Sequence, residues 1–88
     1  MARKPFHVYR RTDGNRIAND IQHTMRTSRL NLDHLAPERD RYRQMGVREE
    51  LVNSYTTRAE AEHEAHRRQT STVQYREHIT YWAEYCDF

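Results

Sequence analysis

From Val73 onward, apolar and polar residues alternate. Val73, Tyr75, Ile79, Tyr81, Ala83 and Tyr85 fall on one side of an extended chain, and Gln74, Arg76, His78, Thr80 and Trp82 on the other. A two-residue period built from β-branched and aromatic residues predicts a strand over Val73–Tyr85. Glu77 is out of place on the apolar side, as a bulge, an edge position or a functional carboxylate would be. Upstream, Thr57 and Glu60 have the spacing of a capping box, so a helix is predicted over about Thr57–Gln69. Glu60, Glu62 and Glu64 come early in it and Arg67 and Arg68 late, which matches the helix dipole. Ala61 and Ala65 share one face, and small side chains there permit close approach to a sheet. Val47, Leu51 and Tyr55 satisfy both a helical and a strand spacing. The helix start at Thr57 needs non-helical backbone, which favours a strand over about Glu50–Tyr55.

The first half is read in the same way. Phe6, Val8 and Arg10 alternate with His7, Tyr9 and Arg11, predicting a short strand before Asp13-Gly14-Asn15, where Asp-Gly supports a tight hairpin turn. Ile17, Ile21 and Met25 then recur every four residues, so an amphipathic helix at about Ile17–Thr27 fits better than a returning strand. Pro37 suits a first helical turn and Gly46 a left-handed cap, which predicts a helix over Pro37–Met45. Leu35, Tyr42 and Met45 form its narrow apolar stripe. The expected fold is α+β: one domain over residues 1–88, a small antiparallel-type sheet of about three strands, a crossover helix at about 57–69 on one face, and one or two short helices in the first half. The N-terminal strand is expected to add to the two strands that the crossover joins.

Composition narrows what such a domain can do. A chain of 88 residues buries only about 60–65% of its unfolded surface. Leu, Ile, Val and Phe number thirteen, so six Tyr and one Trp must enlarge a core that a second copy or a partner would complete. Residues 1–48 carry eleven Lys/Arg against five Asp/Glu, and residues 49–88 carry four against eight. That polarity steers toward an acidic or nucleic-acid partner, or toward head-to-tail dimers. The lone Cys86 rules out an internal disulfide framework, and no apolar run suits a signal peptide or a membrane span, so a cytoplasmic setting is expected.

Catalytic patterns are missing. Gly14 and Gly46 are too few for a phosphate-binding glycine loop, Ser28, Ser54 and Ser71 lack a nucleophile-elbow context, and Cys86 lies near a terminus where chains fray. Glu49 and Glu50 are adjacent, which on a strand sends them to opposite faces. Glu60, His63 and His66 lie close on one helix, but a carboxylate-bridged metal site needs a second such pair from another helix. No enzyme activity, cofactor or metal site is therefore expected.

Binding remains. Tyr, Trp and Arg are the residue types of interface hot spots, and strict alternation puts Trp82 on the face opposite Ile79 and Tyr81. The expected function is a non-catalytic protein-binding module acting stoichiometrically on a larger, nucleoprotein-type assembly, with self-association as a homodimer included. A virus-encoded inhibitor of a host nucleic-acid machine, of the anti-CRISPR type, fits these features. Arg39, Arg41, Tyr42, Arg43 and Trp82 are the candidate partner-binding residues. The alternative is RNA or DNA binding by the basic half, with Arg10, Arg11 and Arg16 as phosphate contacts.

Overall fold

A computed structural model describes residues 3–86. Strand β1 (Phe6–Asp13) leads directly into helix α1 (Gly14–Thr27); a 3-10 turn (Asp33–Leu35) precedes helix α2 (Ala36–Met45). Strand β2 (Val47–Tyr55), helix α3 (Arg58–Ser71), a second 3-10 turn (Arg76–His78) and strand β3 (Ile79–Tyr85) follow. The α+β architecture expected from the sequence is the one observed: three antiparallel strands in one open sheet, with three α-helices. No helix among the described residues is long and apolar enough to cross a membrane.

The strand order is β2-β1-β3, so the N-terminal strand joins the two strands that the crossover connects by pairing between them at the centre of the sheet. Both outer strands run antiparallel to β1, and α3 carries the chain from one edge to the other across it. The register decides which side chains share a face. Phe6, Val8, Arg10 and Thr12 lie beside Tyr85, Ala83, Tyr81 and Ile79 of β3. On this face Val8 is fully buried beneath Ala61 and Ala65 of α3, with Phe6, Val52, Tyr55, Tyr81 and Ala83 packed around them. Burying a side chain such as Val8 is worth about 1.5–3 kcal/mol, and the two alanines let the helix sit close enough to achieve it. The pairing slips between Val8 and Tyr9, which face Asn53 and Leu51 respectively. The extra residue is Val52, and this bulge lets Val52 join the core while Leu51 stays on the other face.

Three boundaries differ from those read in the sequence, the first being that β2 starts at Val47, three residues before the Glu50 expected. Asp13-Gly14 does not close a hairpin; Asp13 caps α1, its Oδ1 accepting the Arg16 N–H at 3.2 Å, so the helix begins at Gly14 and not at Ile17. Ile17, Ala18 and Ile21 are buried on α1, which packs lengthwise on α2. Gly14 N–H donates to Gly46 C=O at 2.8 Å, joining the start of α1 to the cap of α2. The long strand expected over Val73–Tyr85 is confined to Ile79–Tyr85. The preceding segment turns instead, with Tyr75 in the left-handed region at φ 58° and Glu77 inside the 3-10 turn, so the charge out of pattern marks a turn. Val73 is 88% exposed, an apolar residue in a connector.

Gln69, at the end of α3, then substitutes for a strand. Its Nε2 donates to Ile79 C=O at 2.9 Å and its Oε1 accepts the Tyr81 N–H at 2.8 Å. A single side chain therefore satisfies both kinds of backbone group on the outer edge of β3.

Candidate functional site

Alternation along β1 sends His7, Tyr9 and Arg11 to the face that α3 does not cover. Tyr9 lies at its centre, paired with Leu51 of β2 on one side and Trp82 of β3 on the other. The Tyr9 and Trp82 rings stack with centroids 5.6 Å apart and planes at 26°, and the His7 ring lies 6.0 Å from Tyr9. Leu51 is 55% exposed and Val47 is 49% exposed along the same edge. The rim is polar. His7 Nδ1 and Ser54 Oγ are hydrogen-bonded at 2.6 Å, Arg11 lies 3.9 Å from Glu49, and Glu84 and Thr80 flank Trp82.

Cys86 belongs to this face too, and it is held rather than frayed: its N–H donates to Pro5 C=O at 2.8 Å, and its Sγ lies 3.5 Å from the Tyr9 hydroxyl. That hydrogen bond, followed by burial, raises the Tyr9 phenol above its ordinary value.

The structure disperses the residues that the sequence grouped as a partner-binding set. Trp82 is on the open face as alternation required. Arg39, Arg41, Tyr42 and Arg43 are on α2, where Tyr42 lines a cavity of about 230 Å³ with Arg10, Thr12 and Ile79, residues of the opposite face. Arg39 is engaged between helices: it donates to Gln22 Oε1, pairs with Asp40 at 3.0 Å and lies 3.9 Å from Met25 Sδ. Tyr42 meets Tyr75 edge-to-face at 5.4 Å, with the Arg41 guanidinium 5.8 Å from its ring, and Tyr75 donates to Glu38 at 3.2 Å. These contacts anchor α2 to the turn before β3. Arg43 alone of the group is an exposed cation without such a role.

The possible nucleic-acid contacts are divided likewise. Arg10 points to the α3 side and is clamped by Glu50, whose hydrogen bond raises the guanidinium further above its ordinary range. Arg11 is on the open face, and Arg16 lies 3.5 Å from Asp13; these two line a polar cavity of about 240 Å³ with Glu77, His78 and Thr80. Glu60, His63 and His66 remain exposed along α3, and Glu60 accepts from the Thr56 hydroxyl at 3.1 Å.

His7, Tyr9 and Leu51 are the site residues that the sequence reading left out. The alternation of β1 carried the signal for the first two, but it points to an open face only once β1 is known to be central. No family model matches this chain, and no curated protein or solved structure matches it either.

Proposed function

We propose that this chain is a non-catalytic binding module that docks stoichiometrically on a protein of a larger assembly through the open face of its sheet. One observation carries the reading: the stacked Tyr9–Trp82 pair stands at the centre of a sheet face that α3 leaves uncovered, with Leu51 beside it and a polar rim around it. A buried aromatic anchor within a polar rim is the anatomy of an interface hot spot. The rim mixes signs, with Arg11 against Glu49 and Glu84, and that suits a protein surface better than a polyanion. The cavities at Arg11 and Tyr42 hold about 240 and 230 Å³, below the roughly 300–1,000 Å³ of small-molecule sites, so ligand chemistry is the weaker reading.

The test uses Leu51→Arg, because Leu51 is more than half exposed and outside the core. A protein retained by the immobilised wild-type chain should be lost by the variant, with an unchanged melting temperature. Retention by both would place the interface elsewhere.

Single-stranded nucleic acid is the second reading, favoured by the fact that two aromatic rings beside Arg11 on an open sheet could stack bases. Trp82 is the sole tryptophan, so its fluorescence reports such binding directly. Strong quenching by oligonucleotides, falling steeply between about 50 and 200 mM salt, would favour this reading over protein docking.

A further inference from the structure

Glu77, the charge out of pattern in the sequence, acquires a setting in the fold. The left-handed Tyr75 and the 3-10 turn after it bring Glu77 and His78 against the middle of α1, residues that the sequence places 57 and 58 positions from Asp20. One ligand atom from each of Asp20, Glu77 and His78 lies within 4.8 Å of the others. The His78 side chain is only 11% exposed, and its Nε2 is held 2.6 Å from Asp20 Oδ2. Glu77 makes no hydrogen bond or ion pair with any described residue, so two carboxylates converge with a single imidazole between them. Polar cavities of about 240 and 260 Å³ both open onto Glu77 and His78, which leaves room for the waters of an ion.

We propose that Asp20, Glu77 and His78 form a divalent-metal site that takes zinc in preference to magnesium or calcium. One imidazole with two carboxylates is a donor set of borderline hardness, suited to zinc, whereas magnesium and calcium prefer oxygen donors throughout. Zinc bound at about 2.0–2.2 Å in tetrahedral geometry sets its donor atoms about 3.4 Å apart. The three donor atoms lie within 4.8 Å of one another, with Asp20 Oδ2 and His78 Nε2 at 2.6 Å, so binding requires the Asp20–His78 pair to open and the exposed Glu77 to adjust. Water takes the fourth position. The bound ion ties α1 to the turn that starts β3, and so fixes the helical pair relative to the sheet.

The proposal is tested by titrating the metal-free full-length chain with zinc chloride in a calorimeter, with far-UV circular dichroism confirming the fold of each variant. One zinc per chain is expected, undisturbed by hundredfold excess magnesium. Glu77→Gln removes a ligand without breaking any contact and should weaken binding about tenfold or more, at least the loss that even an outer-shell partner causes. Asp20→Asn should do the same, and His63→Gln combined with His66→Gln should change nothing. No saturable binding up to millimolar zinc would overturn the site. So would unchanged affinity in Glu77→Gln, or loss of binding in the His63/His66 variant, which would put the ion on α3.

Discussion

Gly14 shows how one residue can constrain the packing of two helices. A Cβ there would come within 2.2 Å of Tyr42 C=O and 2.6 Å of Gly46 C=O, and both neighbours are backbone that cannot rotate away. Gly14→Ala should therefore destabilise the fold by ~3 kcal/mol, the upper part of the range for overpacking, measured as a lower denaturation midpoint. Thr57 has a smaller and more local effect. Its Oγ1 accepts the Glu60 N–H at 3.2 Å, so Thr57→Ala should cost about 1 kcal/mol with the fold retained. Tyr75 adds a pH dependence. Burial first, and the Glu38 carboxylate next, raise its phenol above the ordinary 10.0. Because the folded value exceeds the unfolded one, the associated stability is complete below about pH 10 and is lost as pH rises through the folded pKa. Tyr75→Phe should remove this part of the alkaline loss of stability, as followed by circular dichroism between pH 9 and 12. The Thr57 cap was legible in the sequence because its acceptor and donor are three residues apart. The Gly14 contact was not, since its partners lie on another helix about thirty residues away.

At the level of elements, α3 was predicted nearly to the residue, from a cap, a charge gradient and two alanines that all agree. β3 was overextended because side-chain alternation continues through Val73 and Tyr75 although the backbone there turns. Periodicity records which side chains are apolar, and it is blind to a left-handed residue followed by a 3-10 turn. The edge of β3 is closed by Gln69, which the sequence placed only as the last residue of the predicted helix. Gln69→Ala should leave Ile79 C=O and Tyr81 N–H without their partner and cost about 1 kcal/mol, since water can replace part of the loss at an edge. Faster hydrogen exchange at the Tyr81 amide would report the same loss locally, and unchanged exchange would show that the clamp does not hold the edge.

The whole molecule is elongated, 56 × 23 × 16 Å, because α1 and α2 pack on each other beyond the end of the sheet while α3 covers one sheet face. Charge polarity along the sequence does not become one basic surface: Arg10 and Arg11 point to opposite faces, and Arg39 is taken up between helices. The candidate site was legible in part. Alternation correctly set Trp82 apart from Tyr81, but the neighbours that make it a site, Tyr9 and Leu51, depend on β1 being central, which local pattern does not encode. A topology of non-local pairings has to be seen as a whole before its open face can be named.

The central claim is that this face binds rather than packs, and Trp82→Ala tests it most directly. The measurement compares, for the same variant, the loss of unfolding free energy with the loss of affinity for the protein that the wild-type chain retains. Removing the stack on Tyr9 should cost the fold about 0.5–1.5 kcal/mol beyond the apolar area lost with the half-buried ring, while affinity should fall by about 2 kcal/mol or more, roughly thirtyfold. A variant that loses several kcal/mol of stability yet binds with wild-type affinity whenever it is folded would contradict the account and make Trp82 a core residue.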